Sequence, residues 1–274
     1  EKEDPETWKK FLRFHRGQLR ELSEMYHPDL FWFDGDWERT PEAWDMKGLR
    51  ADLTAWAPQA VLNSRMQGYG DYETPEQAIP TEPPESPWEF CMTSNDHWGY
   101  MDTDTNYKSP RQIIWYFIKC ISRGGILLLD VGPKEDGTLP KEQTAILEGL
   151  ARWNQKHHDA VFPAVAGLPA GFFDGSTTLS ADRTRLYLFC PQPPVHEIPV
   201  MGLNTETVSI HVLGTDTALE SKKLGGAEWA NIPGVLWISP PPADALDPDC
   251  TVIEIVFKEP LALYEGKSGA IEQN

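Results

Sequence analysis

Four short apolar runs, Leu30–Phe33, Ala60–Asn63, Trp88–Thr93 and Ile126–Leu129, recur at intervals of about 30 residues with helix-forming sequence between them. That rhythm constrains the fold more than any other feature of the chain. A strand buried on both faces needs an unbroken apolar run, and a parallel pair needs a connection long enough to hold a helix. The helix signals fall where this scheme requires them. Asp4-Pro5-Glu6 is a cap followed by proline at the first helical position, and Trp8, Phe11, Leu12, Leu19, Leu22 and Tyr26 then recur mostly three or four apart. Thr40-Pro41 starts a helix to about Trp56, Ser109-Pro110 starts one through Ile121 that Gly124-Gly125 can close, and a last one runs from Pro140 to about His158. Four such units are half of a closed eight-unit barrel. From about Phe162 the texture changes to Gly- and Pro-punctuated runs, among them Arg185–Cys190, Val208–Leu213, Val235–Ser239 and Thr251–Phe257, which predict an antiparallel β-sandwich. The expected fold class is therefore α/β plus all-β, with domains at 1–162 and 163–274.

Charge narrows the partners. The 274 residues carry 24 Lys+Arg against 42 Asp+Glu, a formal net charge of -18, and a field of that sign repels nucleic acid and anionic lipid. A neutral substrate is the expectation. The apolar run Ile126–Leu129 stops far short of the roughly 20 residues that span a bilayer, and Glu1–Glu6 lacks the basic-then-apolar pattern of a signal peptide, so neither a membrane span nor a leader is expected in this chain. Four cysteines without CxxC spacing make no zinc site; Cys190 and Cys250 could pair or stay as buried thiols. Nine of the eleven tryptophans precede residue 154, where their faces can fill a core or hold a sugar ring.

Chemistry is expected beyond the strand ends. Asp34 follows its strand directly in Phe31-Trp32-Phe33-Asp34-Gly35, where parallel α/β folds place working residues. Capping a loop is the plainer role, and the Asp34/Asp36 spacing is a weak metal signal. Asn63-Ser64-Arg65 stands after the second strand. The acidic loop beyond it offers Glu73, Glu76, Glu82, Glu85 and Glu89 as a second carboxylate, the pair that most glycoside hydrolases need, although any one of them can be a solvated surface charge. Asp102–Asn106 imitates a calcium loop without its glycine and closing glutamate and reads as a turn, and His157-His158 reads as positive charge at a helix C-terminus.

Taken in order, Phe31-Trp32-Phe33-Asp34-Gly35, Asn63-Ser64-Arg65, Asp71-Tyr72-Glu73-Thr74-Pro75-Glu76, Trp88-Glu89-Phe90-Cys91 with Trp98-Gly99-Tyr100, and Gly124–Pro133 with Asp136-Gly137 resemble the signatures of glycoside hydrolase family 29, the α-L-fucosidases. The resemblance spans roughly residues 8–160. It implies the second half of a (β/α)8-like barrel followed by a β-sandwich, and a retaining exo-α-L-fucosidase that needs no cofactor or metal. By the same resemblance Asp34 is the nucleophile, Arg65, Trp32 and Trp98 meet the sugar, and Glu76, 42 residues after Asp34, is the acid/base with Glu89 in reserve. Asp130 stands where the family often has Asn. The glutamate and histidines that the family carries on earlier strand ends have no counterpart here, which suggests a fragment, a piece of a processed enzyme or a natural half-barrel. The implied partners are a fucosylated oligosaccharide or glycoconjugate and either the first half of the barrel or a second copy of the chain. The implied compartment is secreted, periplasmic or lysosome-like. The rival reading is a carbohydrate-binding or scaffold protein that keeps the fold without the catalysis.

Overall fold

The first helix, α1 (Pro5–Tyr26), begins where the Asp4 carboxylate accepts the Glu6 amide and ends at His27, which takes a left-handed φ of 48°. The structure is a computed structural model describing residues 4–264 and 266; residues 1–3, which open the expected leader-free start, and residues 265 and 267–274 of the expected β domain lie outside that description. After α1 come β1 (Leu30–Phe31), α2 (Pro41–Trp44), α3 (Met46–Trp56) and β2 (Val61–Leu62). The single helix expected over 40–56 is thus two. Asp45 adopts φ 51° and turns its carboxylate to accept the Gly48 amide, ending one helix and capping the next. β1 and β2 pair in parallel, Leu30 with Val61 and Phe31 with Leu62. Leu19, Phe31, Met46, Leu49, Leu53, Leu62 and Met66 form one buried cluster beneath them. Truncating a leucine there to alanine costs about 2–5 kcal/mol.

The acidic segment expected as a loop beyond Arg65 is not all loop. Isolated parallel bridges join Asn63 to Tyr72 and Glu73 to Trp88, so the segment between acts as a further rung beside β2. β3 (Glu89–Thr93) follows, then α4 (Pro110–Ile121), β4 (Ile126–Asp130) paired with β3, and α5 (Lys141–Lys156). Ser109 and Gln112 complete a reciprocal capping box at the start of α4. The run Ile126–Leu129, expected as a buried strand, is half open: Ile126 is 62% and Leu128 41% exposed. No helix among the described residues is long and apolar enough to cross a membrane.

The remaining strands are β5 (Ala164–Ala166), β6 (Ser176–Ser180), β7 (Arg185–Cys190), β8 (Ile198–Val200), β9 (Thr207–Val212), β10 (Ser221–Leu224), β11 (Val235–Ile238) and β12 (Thr251–Phe257). They form a five-stranded antiparallel sheet, β5-β6-β7-β12-β9, and a three-stranded one, β10-β11-β8. Leu186, Leu188, Ile253 and Ile255 of the first share a core with Ile198, Val200, Leu236 and Ile238 of the second. Alternate residues of the larger sheet, Tyr187, Phe189 and Val252, pack instead on Ile114 and Ile118 of α4 and Trp153 of α5. Packing accordingly divides the chain into Glu1–Phe90 and Cys91–Asn274, whereas the change of sequence texture falls near residue 162. The four cysteines are free and buried, and burial pushes the Cys190 thiol up to about 12.

His157 departs from its sequence reading. It is fully buried against Trp153 rather than exposed as a charge at the helix end. Its Nδ1–H donates to the Trp153 carbonyl at 2.9 Å while Nε2 has no hydrogen-bond partner, so the ring is neutral, and burial pushes it from 6.5 down to about 4. A folded pKa below the unfolded one gives stability that is whole above pH 6.5 and is lost as pH falls toward 4, about 3 kcal/mol over that interval. Urea unfolding of the chain and of His157→Phe between pH 7 and 4 checks this. The variant should show the shallower pH dependence; equal slopes would contradict the assignment.

Candidate active site

Asp34 is placed by the strand before it and the glycine after it. The Asn63 side chain, fully buried, receives the Phe33 amide on Oδ1 and donates from Nδ2 to the Phe33 carbonyl, both at 2.8 Å. An amide side chain thus extends the two-residue ladder of β1 and β2 by one rung and fixes the peptide next to Asp34. Gly35 then takes φ 81°, a conformation that costs a side-chain-bearing residue about 1 kcal/mol or more, and the chain turns sharply away.

Arg65 and Glu76 are placed by the strand-like segment that the sequence concealed. Gly70 lies so near the Asn63 carbonyl that a Cβ would stand 2.2 Å from its oxygen, so only glycine lets the loop return here. Asp71 accepts the Leu62 amide on its side chain and pairs with Arg50, whose hydrogen bond holds the Asp71 carboxyl below the usual range. Three residues on, the buried Thr74 hydroxyl meets Ser64 Oγ at 3.0 Å and accepts from Arg65 Nε at 3.4 Å. Arg65 is thereby aimed with one terminal nitrogen on Asp34 and the other on Glu76, each at 2.5 Å.

The guanidinium is largely buried, with 12% of its side chain exposed, against 61% for Asp34 and 38% for Glu76. Burial opposes its charge, but the hydrogen bonds to Glu76 and Asp34 outweigh that and raise its pKa, so the group stays cationic. It also lies 4.5 Å from the centre of the Trp32 ring and 5.9 Å from that of Trp37. Trp32 in turn donates its indole N–H to Glu89 at 2.9 Å. Asp34, Arg65, Glu76, Trp32 and Glu89 therefore form one connected group, all within the first unit. Trp98 belongs to the second unit, in the loop after β3, and is 44% exposed. Glu73 joins the ladder through its backbone, and the Asp36 carboxylate accepts the Gln67 amide, which gives Asp36 a structural task.

Two residues beside this group escaped the sequence reading. Asn63 was visible only as part of a motif, because nothing in one sequence shows that an amide stands in for a strand partner. Trp37 could have been noticed as an aromatic three residues past Asp34 in Phe-Asp-Gly-Asp-Trp.

Carboxylates and an arginine gathered at the carboxyl ends of parallel strands, with indoles beside them, define an α/β-barrel type of site with paired carboxylates. The family model described as alpha-L-fucosidase matches residues 1–159, and the chain belongs to that family. Its sequence is 29% identical over 158 residues to the tissue alpha-L-fucosidase of Mus musculus, covering 53% of this chain and 35% of that protein, and 31% identical over 159 residues to that of Rattus norvegicus, covering 53% and 34%. The chain thus spans about a third of the curated relatives it matches. Among solved structures it resembles alpha-L-fucosidase isoenzyme 1 from Paenibacillus thiaminolyticus (TM-score 0.81, 27% identity, 92% of this chain and 63% of that one). It also resembles the Thermotoga maritima alpha-fucosidase in complex with a mechanism based inhibitor (TM-score 0.72, 26% identity, 90% and 57%). The fold class is that of these structures, the second half of a (β/α)8-like barrel followed by an antiparallel β domain.

Proposed function

We propose that the chain carries the nucleophile, the acid/base and the arginine of a retaining exo-α-L-fucosidase, with residues 1–162 as the C-terminal half of its catalytic barrel and 163–274 as its β-sandwich. The observation that carries the reading is one guanidinium holding Asp34 and Glu76 together at the strand ends. In the reaction the Asp34 carboxylate attacks the anomeric carbon while Glu76 gives its proton to the departing glycosidic oxygen, leaving a fucosyl ester on Asp34. Glu76, now a carboxylate, takes a proton from water as that water attacks the ester, and both residues return to their starting states. Arg65 compensates the two neighbouring acids and, with Trp32, meets the sugar, while Glu89 is the reserve acid/base. Two inversions give net retention, and no cofactor is called on at any step.

The substrate is a terminal fucose on an oligosaccharide or glycoconjugate, met in a secreted, periplasmic or lysosome-like compartment. Further βα units cover the strand residues Leu30, Val61, Ile126 and Leu128, all more than 40% exposed in this chain. Either the remainder of the same gene product or a second copy supplies them, and only the former brings the family's earlier strand ends. Family membership favours hydrolysis over the scaffold alternative.

The test follows an aryl α-L-fucoside by proton NMR with the whole gene product and with residues 1–274 alone, together with the mass of the latter in solution. The whole product should release α-L-fucose first, and the shorter chain should associate and turn over poorly. First release of the β-anomer, or full activity from a monomer of 1–274, would overturn the corresponding part of the proposal.

A further inference from the structure

Trp37 is the least explained large side chain near the site. Its indole is 65% exposed, on a one-turn 3-10 segment (Asp36–Glu38) just past Asp34. An indole left in water gives up the hydrophobic gain its size offers, and a side chain of that kind on a loose loop would carry no information. This turn is not loose. Gln67, held at φ 48°, donates its backbone amide to the Asp36 carboxylate at 3.1 Å and its side-chain amide to the carbonyls of both Asp36 and Arg39. Trp44 Nε1 donates to the Asp36 carbonyl as well, at 3.0 Å. The backbone on either side of Trp37 is therefore pinned from three directions while its ring stays open.

The ring's position is as specific as its support. Arg65 stands near both indoles, at 4.5 Å from Trp32 and 5.9 Å from Trp37. Trp32 is the inner one, half-buried and tied to Glu89. Trp37 is the outer one. An exo-acting glycosidase holds the terminal sugar against its carboxylates, so the next sugar lies on the solvent side of them. A pyranose presents a flat patch of C–H bonds that an open aromatic face can cover.

We propose that Trp37 is the platform for the sugar that carries the fucose, a pyranose on the leaving-group side of the scissile bond. This rests on the fucosidase reading of the same site. It makes Trp37 a specificity determinant that acts on binding of the leaving group and leaves the fucose subsite untouched.

The experiment compares two substrates in the whole gene product. Fucosyl fluoride has no ring in its leaving group, whereas a fucosyl-hexose disaccharide has one. Trp37→Ala should lower kcat/KM for the disaccharide about tenfold and leave that for the fluoride within about twofold, with inhibition by free L-fucose unchanged. Trp37→Phe, which keeps a flat face, should recover most of the loss. An equal loss on both substrates, or a weakened L-fucose inhibition, would place Trp37 in the fucose pocket or in folding and overturn the proposal. No loss on either would overturn it too. Failure of the unmutated protein to hydrolyse either compound would instead bring down the fucosidase reading, and this proposal with it.

Discussion

Replacing Asp34 by glycine should abolish turnover of an aryl fucoside by roughly 10³-fold or more, and azide should restore it. The reason is geometric. Asp34 is the carboxylate that the Asn63 clamp and the Gly35 turn hold at the end of β1. Its removal leaves a space into which a small anion fits on the side opposite the leaving group. One displacement by azide replaces two by the enzyme, so the product should be the β-fucosyl azide, inverted relative to the substrate. An azide of retained configuration would mean that a second carboxylate had taken the role. Arg65 loses one of its two carboxylate partners in this variant, so the protein should be purified and its fold checked before rates are compared.

The second large effect separates Glu76 from Glu89. Glu76 binds Arg65 Nη2 and Glu89 accepts from Trp32 Nε1, so both border the same group of residues. A proton donor matters when the leaving group is a poor one and hardly matters when a stable phenolate departs. Glu76→Ala should therefore slow a disaccharide by about 10²–10⁴-fold and cleavage of the fucosyl bond in an activated aryl fucoside far less. Glu89→Ala should lower both together, by loosening Trp32. The kcat/KM values on the two substrates, which report the steps up to formation of the fucosyl ester, read the split, and the reverse pattern would move the acid/base role to Glu89.

How much of this was legible in the sequence depends on how local its cause is. The start of α1 follows from Asp4-Pro5, and α4 from Ser109-Pro110, because caps act within a few residues. The place of Asp34 at a strand end was legible for the same reason, since an apolar run stops there. The rung formed by residues 71–73 was not, because a polar stretch flanked by prolines has no strand periodicity. It exists through the close approach of Gly70 to Asn63. The open face of β4 was not legible either: a run such as Ile-Leu-Leu-Leu states that burial is favourable, not what supplies it. His157 was misread because a helix end in sequence says nothing of the long-range packing that buries it. The choice of Glu76 among five nearby glutamates came from the family pattern alone, and the structure adds that this glutamate reaches the arginine that also holds Asp34.

The central claim is that a covalent bond forms on one named oxygen-bearing side chain. The most direct measurement is mass spectrometry of a digest after incubating the whole gene product with 2-deoxy-2-fluoro-fucosyl fluoride, whose fluorine slows both steps but leaves a good leaving group for the first. The label should sit as an ester on the peptide containing Asp34, and no label should form in Asp34→Gly. A label on Asp36, Glu76 or Glu89, or hydrolysis of substrate with no labelled peptide at all, would contradict the account.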